Sequence, residues 1–162
     1  NEVIAHELKH VCHAKGLLHR GSGILIFRDH TFQQLLLQKR QKGLRNAGRW
    51  CSPGGHVSHG ETYLDAINRE CAEELFSNDP RLISQFLKRP LEYLFTILKD
   101  EPEDREFIAM YRSVYDGPFR PQIEEVEELR FFPIRELAED AASHPTRYTY
   151  AFRCIFAHHR SL

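Results

Sequence analysis

The chain has 162 residues, 41% of them hydrophobic and 28% charged, with a formal net charge of -1. That length and apolar content suit one compact domain with its own core, so residues 1–162 are read as a single domain. The balanced charge excludes a stable nucleic-acid partner or a general membrane-surface binder, which would show a basic excess. No apolar run reaches the length of a bilayer span, and no leader pattern precedes the first strand-like segment. Cys12, Cys51, Cys71 and Cys154 form no C-x-x-C pair and read as reduced thiols of a cytoplasmic protein.

In chain order, His6-Glu7-Leu8-Lys9-His10 has the spacing of the H-E-x-x-H zinc helix. Little chain precedes it to build a supporting sheet, so a chance match is preferred. Ile24 to Phe27 and Leu35 to Leu37 are apolar runs around a polar segment, which predicts a strand pair with a long turn. Lys39, Arg40, Lys42, Arg45 and Arg49, with Gly43 and Gly48, form a basic loop. Trp50 to Val57 predicts a strand entering a tight turn at Pro53-Gly54-Gly55. Trp50 is expected in the core. Phe119 either stacks on a ligand or joins the core.

Thr62 with Asp65 three residues on predicts a capped helix start. Leu64, Ile67, Cys71 and Leu75 recur at helical spacing and predict its buried stripe. Asn78-Asp79-Pro80 ends the helix. Tyr93–Leu98 and Glu106–Tyr115 read as strands around an acidic turn from Lys99 to Arg105. Glu128–Phe132 reads as a further strand, and Ile134–Ala142 and Thr146–His158 as helices. Strands, helix, strands, helices define an α+β fold, or a three-layer α/β/α sandwich on a mixed sheet.

The segment Gly55 to Glu74 reads GHVSHGETYLDAINRECAEE. On a helix, Glu70, Glu73 and Glu74 stand at i, i+3 and i+4 and point nearly one way. Carboxylates that close repel unless a cation lies between them, and a hard divalent ion held by oxygens is the ready explanation. On a helical wheel Glu70 and Glu74 flank the apolar stripe and Glu73 lies further round. The spacing G-x5-E-x7-R-E-x-x-E-E resembles the Nudix box of hydrolases that split diphosphates linked to another group. The resemblance implies a Nudix-type α/β/α sandwich. It implies Mg²⁺ or Mn²⁺ held by the Gly55 carbonyl, Glu70, Glu73 and Glu74, with Arg69 over the acids and Glu61 anchoring the loop or ligating through water. It also implies a general base, Glu70 first, Glu73 second, and Glu124 or Glu125 third. The box usually carries Gly where this chain has Phe76, so the helix exit must differ, with Asn78 a plausible substitute.

Lys39, Arg40 and Arg49 are candidate phosphate contacts, because guanidinium forks and ammonium groups suit phosphate oxygens. Leu17-Leu18-His19-Arg20, Leu36 to Arg40, Trp50, Gly54-Gly55-His56-Val57, Gly117-Pro118-Phe119 and Glu125-Val126 resemble the Nudix branch related to isopentenyl-diphosphate isomerase. That likeness implies a second metal site on His13, His19 and His56, with Glu106 as a later acid. The isomerase also needs a cysteine where this chain has Gly54, and Cys51 lies three residues too early. Three functions follow: a metal-dependent diphosphate hydrolase acting on a small molecule, an isomerase-like enzyme, or a non-catalytic metabolite-binding module. A homodimer is compatible with each.

Overall fold

A computed structural model describes residues 1–101 and 104–159 of the chain. Its elements are α1 (Lys9–Lys15), β1 (His19–Phe27), β2 (Gln34–Arg40), β3 (Trp50–Cys51), β4 (Gly54–His56), α2 (Tyr63–Phe76), α3 (Pro80–Phe86), β5 (Glu92–Glu101), β6 (Asp104–Val114), β7 (Val126–Pro133), α4 (Ile134–Ser143) and α5 (Tyr150–His159). A 3-10 turn at Pro145–Arg147 separates the last two helices.

The apolar run in β1 explains the layering. Successive side chains of a strand point to opposite faces. Ile24 and Ile26 pack with Ile67, Cys71, Leu75, Phe76 and Phe86 from α2 and α3. Leu25 and Phe27 pack with Leu137, Phe152, Ile155 and Phe156 from α4 and α5. A strand covered on both faces reads as a continuous hydrophobic run. Each fully buried Ile, Leu or Phe there is worth about 1.5–3 kcal/mol. The result is the α/β/α sandwich expected from the sequence.

The seven-stranded sheet is mixed. β1 runs parallel to β6 from His19↔Glu106 to Phe27↔Val114, and β5 and β6 form an antiparallel hairpin. β1 and β2 pair antiparallel at Phe27↔Leu35. Beyond that point β1 takes β4 as its partner and β2 takes β3, while β7 pairs along the whole of β2 from Gln34↔Pro133 to Arg40↔Val126. The short strands β3 and β4 therefore lie where the two long ones part.

Several expectations change. Lys99 to Arg105 is no open turn: β5 and β6 continue through it, with Lys99 opposite Glu106, and only the tip at 102–103 lies outside the described residues. Leu64 is 43% exposed, because the buried stripe of α2 begins with Ala66 and Ile67. Two helices were not anticipated. α1 has Cys12 as its buried residue, too little periodicity to reveal a helix. α3 starts at the Asp79-Pro80 pair read as a stop; Pro80 occupies the first turn and Asp79 caps it. His6 and Glu7 precede α1, so H-E-x-x-H does not lie on one helix. The terminal helix begins at Tyr150, not Thr146, because Tyr148 is buried in extended backbone with its hydroxyl on Asp140. Trp50 is core, edge-on to Phe132, and Phe119 stacks against Phe76. All four cysteines are free thiols. Among the described residues no helix is long and apolar enough to cross a membrane.

Candidate active site

The box helix begins with the expected capping box. The Thr62 hydroxyl accepts from the Asp65 backbone N–H, and the Asp65 carboxylate accepts from the Thr62 N–H. This sets the helix so that its acidic edge faces β4. Glu74 is buried, and its Oε2 accepts the Gly54 N–H at 2.9 Å. Glu70 lies directly over the Gly55 Cα, where any Cβ would overlap its carboxyl group. Glu73, further round, is the most open of the three.

One guanidinium holds this edge together. Arg69 Nε donates to Glu61 Oε1 at 2.7 Å, and Nη1 donates to Glu70 Oε1 at 2.8 Å and Glu73 Oε2 at 3.3 Å. Nη2 donates to the His56 carbonyl at 2.9 Å and to Glu61 Oε2 at 3.1 Å. Glu61 also accepts the Ser58 N–H, so it anchors the loop ahead of the helix. Burial raises the Glu70 carboxyl above its ordinary range despite Arg69. Burial also pushes Glu74 up to about 8, although the Gly54 N–H pulls the other way.

A cavity of about 190 Å³ lies on the other side of Gly54-Gly55. Lys9, Arg40, Arg45 and Lys99 line it beside His13, His56, Asp104 and Glu106, and Phe152 and Ile155 of α5 contribute an apolar wall. His13, His19, His56 and Asp104 each offer one ligand atom, and these atoms all lie within 4.8 Å of one another. The isomerase resemblance implies these three histidines with Glu106 as their acid. Asp104, two residues earlier on the same face of β6, is the one that joins them.

The polar atoms of this cluster suit a metal. His19 Nδ1 donates to the Leu17 carbonyl at 2.8 Å, which leaves the lone pair on Nε2. His19 Nε2, His56 Nε2 and Asp104 Oδ1 are buried without a hydrogen-bond partner. Such orphaned atoms are rare in folded proteins unless an ion or water completes them. Burial drops His56 to about 3 and lowers His19, so both rings are neutral and able to donate lone pairs. Burial would raise Asp104, but its bonds to Glu106 and Lys99 outweigh that and hold it low. Burial and the facing Asp104 raise Glu106.

Of the basic-loop candidates, Arg40 lines the cavity. Lys39 is paired with Glu127 at 2.7 Å, and neither it nor Arg49 is part of the cavity lining. Arg45, not singled out among the loop's basic residues, reaches Asp104 Oδ2 at 3.3 Å and His13 Nδ1 at 3.4 Å. Glu124 and Glu125 are exposed on the loop before β7. Gly54 has φ of +143°, and a Cβ there would collide with the Ser22 carbonyl. The buried Cys51 thiol is pushed up to about 11 by desolvation.

The family model for the NUDIX domain matches residues 17–152, and the chain belongs to that family. It is 36% identical over 135 residues to an uncharacterized Nudix hydrolase of Pseudomonas aeruginosa, covering 81% of this chain and 72% of that one. It is 31% identical over 157 residues to the isopentenyl-diphosphate Delta-isomerase of Serratia proteamaculans, covering 96% and 84%. Among solved structures, a MutT Nudix hydrolase from Burkholderia pseudomallei superposes with a TM-score of 0.65 at 24% identity, covering 86% of this chain and 96% of that one. That likeness supports the fold.

Proposed function

We propose that the chain is a divalent-metal-dependent hydrolase that cleaves the diphosphate linkage of a small metabolite. The observation that carries this reading is the set of acceptors on Arg69: Glu61, Glu70, Glu73 and the His56 carbonyl share one guanidinium. A solvated acidic face has no need of such an anchor. The box acids are hard oxygen donors, and Gly55 lets Glu70 lie against the backbone. Glu70, Glu73, Glu74 and the Gly55 carbonyl would hold Mg²⁺ or Mn²⁺. When bound, the ion supplies neutralisation of diphosphate charge and acidification of an attacking water.

The chain's own groups do the rest. Glu70 takes the proton of the attacking water; its burial makes the ionised form a stronger base. Glu73 is the second candidate for that step. Arg69 fixes both carboxylates. Arg40 offers its guanidinium to phosphate oxygens from the cavity wall. His13, His19, His56 and Asp104 form a second centre, whose imidazoles suit a transition-metal ion better than Mg²⁺.

The isomerase-like reading draws on that second centre and on the relatives. Against it stands Gly54, which has no acid or base and no room for one. Cys51 is buried and holds its proton to about pH 11. Incubation with isopentenyl diphosphate is therefore expected to yield no double-bond isomer. The main test is a Mg²⁺ and Mn²⁺ activity screen over nucleoside diphosphate sugars, dinucleoside polyphosphates, nucleoside triphosphates and coenzymes. Glu73→Gln and Glu74→Gln should both lose turnover; full activity in both removes the mechanism.

A further inference from the structure

Residues 1–8 precede α1 without helix or strand, and all of them are exposed. This arm is pinned toward each end. At the far end Arg20 donates to the Asn1 carbonyl at 2.6 Å and to Asn1 Oδ1 at 3.0 Å, and the Asn1 amide meets the Tyr63 hydroxyl. Nearer α1, the His6 ring stands edge-on to His59, with centroids 4.1 Å apart. Between the pins the arm borders a cavity of about 440 Å³. Leu17, Leu18, Val57 and Phe107 wall it, and Leu17 and Leu18 are 38% and 43% exposed. Large apolar side chains left open on a concave wall mark a place for a ligand.

Size and lining say which group fits. Ligand pockets span about 300–1,000 Å³. The cavity beside Gly54-Gly55, at about 190 Å³, falls below that range, and the cavity under the arm falls within it. Glu61 belongs to its lining, and Arg69 ties the same carboxylate to Glu70 and Glu73, so the cavity adjoins the box acids. Glu2, Glu7 and Glu61 in the lining would repel a phosphate. They can accept N–H groups instead, and the His6 and His59 rings offer faces and edges to a planar ring. An alkyl chain would use neither.

We propose that the cavity under the arm is the subsite for the non-phosphate end of the substrate, and that it takes a flat, N–H-bearing heterocycle over which the arm lies. This rests on the reading of the box acids as the centre that cleaves a diphosphate. The cavity itself is tested without phosphate and without metal.

Adenosine is the probe, titrated into the full chain in chelator and followed by NMR. The wild type should bind it with a Kd below about 1 mM. Leu18→Trp fills the cavity and should weaken binding at least about tenfold. His59→Ala removes an exposed ring and should weaken it at least about fivefold. Leu87→Trp, at the end of α3 and outside the cavity lining, should bind as the wild type does. Pentanol, an alkyl probe of the same wall, should bind at least about tenfold more weakly than adenosine. Adenosine that fails to bind the wild type, or that binds Leu18→Trp and His59→Ala undiminished, overturns the proposal. Pentanol binding as tightly as adenosine overturns the heterocycle. If adenosine binds and Leu18→Trp blocks it while the chain hydrolyses no diphosphate, the cavity stands and the hydrolase reading falls. Should Leu18→Trp fail to fold, His59→Ala decides the matter.

Discussion

Arg69 holds Glu61, Glu70 and Glu73 at once, and that arrangement sets what single substitutions should do. Arg69→Ala leaves Glu70 buried beside Glu73 without its counter-charge. Turnover is expected to fall about 10–100-fold with the fold retained by circular dichroism. Glu70→Gln removes the proposed base and should cost about 10²–10⁴-fold in kcat. A kcat within a few-fold of wild type would move the base elsewhere. Gly54→Ala meets both a positive φ and the Ser22 carbonyl, and should lower stability by about 1–3 kcal/mol in urea denaturation. The box residues were legible because they lie within twenty positions and one helix turns them together. The choice of Asp104 over Glu106 was not. Both point the same way from β6 and both pair with Lys99 on the neighbouring strand, so only the place where the imidazoles meet distinguishes them.

Helix α2 shows how an element adapts to a departure from the family pattern. Phe76, standing where the box usually has Gly, is fully buried against Phe86, Tyr115 and Phe119. The left-handed exit moves to Ser77 and Asn78, whose N–H groups return to the Glu73 and Ala72 carbonyls. Asn78 was expected at that exit; Ser77 was not, since serine has no special preference for positive φ. Phe76→Ala should cost about 3–5 kcal/mol in urea denaturation, as deletion of a fully packed ring does. Leu64→Ser should stay within about 0.5 kcal/mol, because Leu64 lies outside the buried stripe. Equal costs for the two would mean that the helix packs on a different face.

The metal-free molecule carries opposed proton linkages, among them those of His56 and Glu74. His56 stands at about 3 folded against 6.5 unfolded, so the unfolded chain binds more protons between those values. Its contribution is whole above pH 6.5 and is lost as pH falls toward 3. Glu74 stands at about 8 folded against 4.5 unfolded, so here the folded chain binds the extra proton. Its contribution is whole below pH 4.5 and is lost as pH rises through 8. Chelated protein should therefore lose Tm as pH falls from 4.5 toward 3 and as pH rises from 6.5 toward 8. Glu74→Gln should flatten the alkaline limb. Adding Mg²⁺ should raise Tm most at the alkaline end, where the carboxylates are already ionised. A Tm that rises steadily from pH 6.5 to 8 in the chelated wild type would contradict the burial of Glu74.

The sequence alone determined what depends on local spacing. The Gly turn, the capped helix and its acidic edge follow from turn chemistry and a period of 3.6 residues, while the choice of the sandwich over other α+β folds came from the Nudix resemblance. The tertiary structure decided what depends on chain segments meeting. It brought ligand atoms of His13 from α1, His19 from β1, His56 from β4 and Asp104 from β6 within 4.8 Å of one another, and placed Lys99 behind them. It also turned Lys39 toward Glu127 and Arg40 toward the cavity, although they are neighbours in the chain. Alternation along a strand says that adjacent side chains go to opposite faces. Which face holds the ligand site depends on which strands lie alongside, and no spacing within one strand encodes that.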